Sequence, residues 1–521
     1  MTDMQAVEKP ANSILKPAMF LMCGRTLAFI ATFFIPVVLA RIFDPANFGT
    51  YKQLFLIHST AYFIAQVGMA SSLYYFIPQA AQDAGRYVAN SVVFLGGAGL
   101  LGFAALYLSA PYLARWMNNP ALVVYLWWTG LFLALMMIAA SLEMVMIARG
   151  KFLLASISYA TSDIIRAAGF VLPVLVFRSL EAVLIGSVIF AALRVIAALW
   201  YFRSVFGSTL LPNAPILKKQ LAYAVPFGAA VLVEIFYSSV PQYTVSFLAD
   251  PATFAVFAVG CLQIPLVDFA ASPTSDVMMV KMQENLTKGR LAAVVEIWHD
   301  AFWKLALLFF PLVALVIVEG RDIILALFTA KYAASIPLFR VWSALILLST
   351  LQVDGVLRVF AETRYILYLN VMRLAIVGTL IAPSMHFFGL LGPVGVILLA
   401  TIAFKAGALI RVTRLFQIQP IQLLPWRGVG KLAFASTIPA AMVLILKTGL
   451  TLRPLASLFA ASIVFGLGYC VLVWRLGLLT KLEEAAIRGW LRNRFSRREE
   501  VPAPERDSVQ NLCAESPASS V

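Results

Sequence analysis

The sequence predicts an all-α polytopic membrane protein with about fourteen transmembrane helices. Three observations carry this. Hydrophobic residues make up 61% of the 521-residue chain and charged residues 12%, where a soluble domain has about 45–50% and about 25%. Mean hydropathy is +0.88. Apolar runs close to the roughly 20 residues that a spanning helix needs recur along the chain, separated by charge, Pro or Asn. This composition excludes a soluble enzyme and a disordered chain. Runs this long, without period-two alternation, also exclude a membrane barrel.

The first six runs are 18–40, 53–77, 88–110, 121–147, 152–177 and 181–203. Lys9 and Lys16 precede the first, as in a secretory signal. The run exceeds the roughly 7–15 residues of a signal's apolar core and contains Arg25, so a retained helix is expected. After a more polar stretch, Ser204–Lys219, the runs resume at 220–248, 253–280, 297–318, 335–359, 364–388 and 391–415. A second polar break, Phe416–Val429, precedes 430–450 and 454–477. The expected units are an N-terminal segment 1–17, helices 1–6 over 18–204, a connector 205–219 and helices 7–12 over 220–415. A loop 416–429, helices 13 and 14 over 430–477 and a tail 478–521 follow. In the tail, Leu479, Leu482, Ala486, Trp490 and Leu491 recur at helical spacing beside Lys481, Arg488, Arg492 and Arg494. That pattern suits a basic helix lying on the inner leaflet. From Val501 Pro, Ser and acids dominate, and disorder is expected.

An even number of spans puts both termini on one side, and Lys and Arg decide which. The N-terminus and alternate loops hold seventeen, the other loops eight, and the tail from Arg475 eight more. Lys52 is counted here among the loop cations of the minority side. This bias predicts cytoplasmic termini. The net charge of +15 then reflects a cytoplasmic surface facing anionic lipid rather than a nucleic-acid site.

An octet recurs. Asp44-Pro45-Ala46-Asn47-Phe48-Gly49-Thr50-Tyr51 follows the first run and Asp250-Pro251-Ala252-Thr253-Phe254-Ala255-Val256-Phe257 the seventh, 206 residues apart. Six helices separate the copies, so the halves share one orientation, as in transporters built from parallel repeats. Interfacial turn chemistry alone also explains an Asp-Pro step followed by an aromatic anchor.

Chemistry-bearing motifs are sparse. Cys23, Cys261, Cys470 and Cys513 show no paired spacing, and His58, His299 and His386 are scattered, so no disulfide, metal site or cofactor is expected. Gly97-Ala-Gly99-Leu-Leu-Gly102 lacks the strand and the downstream acid of a dinucleotide site, and close helix packing accounts for it better. Nothing resembles a catalytic constellation. Charged residues within spans are costly and usually face a cavity or a partner. Arg25 can snorkel or pair with an acid, or contact an anion in a wet cavity. Arg194, Arg373 and Lys405 are candidates to line an anionic-substrate cavity. Glu234 and Asp268 are candidates for a coupling ion, with Asp276 and Asp354 behind them; such acids can equally neutralise Arg. Asp163 and Arg166, spaced i,i+3, suit a structural pair. Glu296, Asp300 and Lys304 suit an interfacial stripe.

Three segments resemble a family. Arg41-Ile-Phe-Asp-Pro-Ala-Asn-Phe-Gly-Thr-Tyr51, Gly68-Met-Ala-Ser-Ser-Leu-Tyr-Tyr-Phe-Ile-Pro78 and Leu327-Phe-Thr-Ala-Lys-Tyr-Ala-Ala-Ser335 are similar to segments of polysaccharide flippases of the multidrug/oligosaccharidyl-lipid/polysaccharide exporter superfamily. The resemblance implies two parallel six-helix bundles around a central cavity, plus two extra C-terminal helices that add a lipid-tail groove. It implies alternating access, a bacterial inner-membrane location and a cargo of undecaprenyl-diphosphate-linked oligosaccharide. It implies membrane lipids and a polysaccharide polymerase of the same pathway as partners, with no nucleic acid. Arg25 falls near the helix 1 position where such flippases carry a cavity Arg, whereas Asp268 and Asp276 depart from the cation expected on helix 8. A drug/cation antiporter of the superfamily and a lipid II flippase are the alternatives. The absence of an acid from helices 1 and 2 weighs against the antiporter. The absence of a long outward loop weighs against a membrane-embedded polymerase or ligase.

Overall fold

The computed structural model describes residue 29 and residues 32–80, 82–449 and 454–479. Among these residues every regular element is helical. Arg25, most of the first run and the basic tail helix lie outside them.

Helix α1 (Thr32–Ile42) leads through Asp44 into α2 (Pro45–Gln66). The Asp44 side chain caps α2 by accepting from the Asn47 amide at 2.7 Å, and Pro45 takes the first helical position, where no N–H is needed. α2 stops at Val67, left-handed at φ 46°, and Gly68 at φ 71°. Gly is suited to that conformation. α3 (Met69–Gln79) then continues the same span. α4 (Ala84–Trp116), α5 (Leu122–Ile138), α6 (Leu142–Ala148), α7 (Phe152–Phe177) and α8 (Leu180–Phe206) follow. α9 (Ala214–Leu248) contains Pro226 and Pro241. α10 (Pro251–Gly260) and α11 (Pro265–Thr287) form a pair bent by 51°, although the sequence reads 253–280 as one run. Pro265 explains the break: it disfavours helix at the residue before it, and Ile264 is extended at ψ 114°. α12 (Leu291–Phe328), α13 (Ile336–Leu348), α14 (Val353–Val359), α15 (Thr363–Phe388), α16 (Leu391–Phe416), α17 (Trp426–Gly449) and α18 (Pro454–Arg475) complete the chain.

Among the described residues eleven helical stretches are long and apolar enough to cross a bilayer, and the bent pair makes twelve. Their outer faces stay apolar while exposed: Leu101 is 74%, Leu108 72%, Trp200 72% and Phe177 70% accessible. Lipid is the solvent for such faces. The chain is a multi-pass membrane protein.

Helices α3 to α8 pack mainly on one another, and so do α11 to α16; α2 and α10 pack most extensively on each other, and α9 touches α2, α3 and α4 as well as α15. The two groups meet where α2 lies along α10. Here the octets come together. Asp250 caps α10 as Asp44 caps α2, accepting from the Ala252 and Thr253 amides at 2.9 and 3.1 Å. The Thr253 hydroxyl, donating at 2.6 Å, holds the Asp250 carboxyl below the usual carboxylate range. Phe48 and Phe254 are buried. A Cβ on Gly49 would stand 1.7 Å from the Pro251 carbonyl oxygen, so the two backbones touch. Polar ties seal this end: Gln53 donates to Ser246 Oγ at 2.8 Å, Asn118 to the Phe247 carbonyl at 2.7 Å and Arg41 to the Leu327 carbonyl at 2.9 Å. At the opposite end Gln220 of α9 donates to Ser72 and Ser91 at 2.9 and 2.8 Å, which fastens the start of α9 to α3 and α4.

The last two helices pack on α12. Lys447 sits 2.8 Å from Glu319 and 2.7 Å from Asp322, and Ser457 donates to Asp322 at 2.8 Å.

Candidate functional site

A cavity of about 630 Å³ lies within the second helix group, with Phe29, Phe33 and Lys52 reaching it from the first part of the chain. Phe33 of α1, Lys52 of α2, Tyr237 and Gln242 of α9, Phe257 of α10, Trp342 of α13, Arg373 of α15, and Thr401 and Lys405 of α16 contribute to its wall. Three cations thus face one space: Lys52, Arg373 and Lys405. Among the described lining residues none is acidic.

Each cation is held differently. The Arg373 guanidinium lies over the Tyr237 ring, 3.2 Å from its centroid, and 5.1 Å from that of Phe404. Such stacking fixes the plane of the fork and offsets part of the cost of placing its charge in the membrane. Lys405 donates to Asp354 at 2.7 Å and to the Leu351 carbonyl at 2.9 Å, and its side chain is only 14% exposed. The Lys52 ammonium lies 5.6 Å from the Phe48 ring centroid.

The structure therefore brings two sequence candidates, Arg373 and Lys405, to one cavity and adds Lys52. Lys52 is not a loop residue, as the loop count had it: Asp44 and Pro45 start α2 at Pro45, which places Lys52 two turns inside the helix. The N-cap signal of an Asp-Pro step identifies this helix start. Arg25 lies outside the described residues. Glu234 is on α9, and its side chain is likewise outside the description.

Arg194 belongs to a second cavity, of about 470 Å³, within the first helix group. It pairs with Glu143 at 2.6 Å and donates to Ser162. Ser158 donates to the other Glu143 oxygen at 2.9 Å. Asp163 and Arg166 pair at 2.8 Å, as their spacing predicts. Asp268 lines a smaller pocket of about 140 Å³ at the bend between α10 and α11, beside the first cavity and sharing Gln263, Trp342 and Ser349 with it. Asp300 and Lys304 pair at 2.6 Å on an exposed face. Among the described residues no three His, Cys, Asp or Glu side chains gather as metal ligands.

The helices fall into two groups joined along α2, α9 and α10, with a cavity beside that junction. Solved structures with a similar fold include a flippase and multidrug transporters. The lipid II flippase MurJ in an inward closed conformation is similar at a TM-score of 0.64 and 14% identity, over 87% of this chain and 98% of that one. A multidrug resistance MATE family transporter in an inward-facing conformation matches at 0.52 and 16%, over 76% and 95%. A superfamily transporter from Pyrococcus furiosus, whose binding pocket is described as reversed in polarity, matches at 0.51 and 15%, over 76% and 93%. No curated protein sequence matches the chain. Residues 14–266 match the family of polysaccharide biosynthesis proteins. The family match over residues 14–266 and the likeness of the fold agree with the resemblance read from the sequence.

Proposed function

We propose that this protein is a flippase carrying an undecaprenyl-diphosphate-linked oligosaccharide from the cytoplasmic to the periplasmic leaflet for cell-surface polysaccharide synthesis. The observation that carries the reading is the cavity faced by Lys52, Arg373 and Lys405, with no acid among its described lining residues. A diphosphate cannot enter hydrocarbon bare, because unpaired charge there costs many kcal/mol. A cationic wet cavity lowers that barrier while the polyprenyl tail stays in lipid. The cavity's volume of about 630 Å³ lies within the roughly 300–1,000 Å³ of ordinary ligand pockets.

The proposal includes fourteen spans, with α1 and α9 supplying those beyond the twelve, and cytoplasmic termini. The Asp44/Asp250 end is then periplasmic and closed. Residues 18–204 and 220–415 act as parallel repeats that rock about that contact. Arg25 joins the cationic set, and Glu234 and Asp268 are the coupling-ion candidates. A polymerase of the same pathway receives the product.

The test is reconstitution in vesicles with a fluorescent polyprenyl-diphosphate oligosaccharide and, separately, a cationic dye. Movement of the lipid-linked sugar, lost in Arg373→Ala and Lys405→Ala, is expected. Transport of the dye alone overturns the proposal.

A further inference from the structure

The second cavity differs in kind from the first. Among the described residues its charges cancel: Arg166 is paired with Asp163, and Arg194 with Glu143. A bare diphosphate or a drug cation gains little from such a site. Its wall is rich in rings, with His58 4.6 Å from Phe132 and stacked 5.9 Å from Tyr62, centroid to centroid. Hydrogen-bonding capacity is left over. His58 Nδ1 and Arg194 Nε are buried without hydrogen-bond partners, which is costly unless something fills them.

An uncharged polyhydroxyl ring fits this chemistry. Its C–H faces lie against aromatic rings, and its hydroxyls donate to the free histidine nitrogen and to carboxylate oxygens and accept from guanidinium N–H groups, bonds strengthened by the charge on one partner. The cavity's 470 Å³ also falls within the ordinary range for small ligands.

The two cavities share walls. On α1, Thr32 faces the second and Phe33 the first; on α2, Tyr51 faces the second and Lys52 the first. We infer that the second cavity is a sugar-binding chamber, recognising neutral glycosyl units of the cargo while the cationic cavity takes its diphosphate. The inference rests on the flippase reading and divides the cargo's head between two chemically unlike spaces. Arg194, expected from sequence as an anion contact, becomes a hydroxyl contact held in place by Glu143.

The experiment uses the full chain in nanodiscs and two probes, farnesyl diphosphate and farnesyl-diphospho-N-acetylglucosamine. Tyr62→Ala removes a ring, and Ser59→Phe fills the cavity without touching either ion pair. Wild type is expected to bind the sugar-bearing probe about tenfold more tightly than the bare one, and both variants to erase that difference while binding farnesyl diphosphate normally. Equal affinity of the two probes in wild type, or variants that keep the preference or weaken both probes alike, overturns the chamber. Failure of the diphosphate reading looks different: farnesyl diphosphate then shows no binding that Lys405→Ala removes, whereas a sugar preference lost in Tyr62→Ala still supports the chamber.

Discussion

Gly49→Ala should jam the closed end. The added Cβ would stand 1.7 Å from the Pro251 carbonyl oxygen. Contacts below 3.0 Å do not occur, so α2 and α10 must separate locally by at least 1.3 Å (3.0 − 1.7). Both partners are backbone, and Pro251 is fixed between its Asp250 cap and α10, so no side chain can yield instead. Overpacking of this kind costs about 1–3 kcal/mol. That cost falls only on the state in which this end is closed, so the closed-to-open ratio should drop by about 5- to 150-fold. Cys261 lines the central cavity and reports the opening. With Cys23, Cys470 and Cys513 replaced by Ser, an impermeant maleimide added outside should label Cys261 in Gly49→Ala much faster than in the Gly49 parent. Turnover should fall, because the cycle stalls open. Unchanged labelling together with normal transport would show that α2 and α10 do not form the gate.

Further outcomes are expected. Reporter fusions after Val521 and within 249–252 should read cytoplasmic and periplasmic; the reverse pattern sinks the topology. Arg25→Ala should abolish export with normal expression, and Arg25→Lys should retain part of it because a point charge replaces a fork. A fully active Arg25→Ala removes that residue from the cationic set. Lys447→Met leaves Glu319, fully buried, without its cation, and should cost about 3–5 kcal/mol as for a broken buried pair. Thermal denaturation in detergent checks this, and an unshifted midpoint argues that the network is dispensable.

What was legible in the sequence was local. The Asp-Pro octets encode a cap, a first-turn proline and a buried Phe, and all three sit within five residues of one another. Asp163 and Arg166 pair because they are one helical turn apart. Glu143 and Arg194 are separated by 51 positions, as are Asp354 and Lys405, and no periodicity links them. The central cavity draws on α1, α2, α9, α10, α13, α15 and α16, so its existence depends on tertiary packing. Lys52 was misplaced because hydropathy alone began the second helix at residue 53, after the polar octet, whereas the cap begins it at Pro45. The break before Pro265 was hidden by the apolar residues that continue on both sides of it.

The neighbouring positions of Tyr51 and Lys52 on α2, one facing each cavity, constrain how such a chain can change over evolutionary time. Successive residues on a helix point about 100° apart. Loss of a single codon between Pro45 and Tyr51 would therefore carry the ammonium into the ring-lined chamber and Gln53 into the cationic one, whereas gain of one would carry Thr50 into the ring-lined chamber and the Tyr51 ring into the cationic one; either alters both recognition chemistries in one step. Point substitutions at either position leave the other untouched. This stretch is therefore expected to diverge in residue identity among descendants while its length is kept, and cargo preference to drift one chamber at a time.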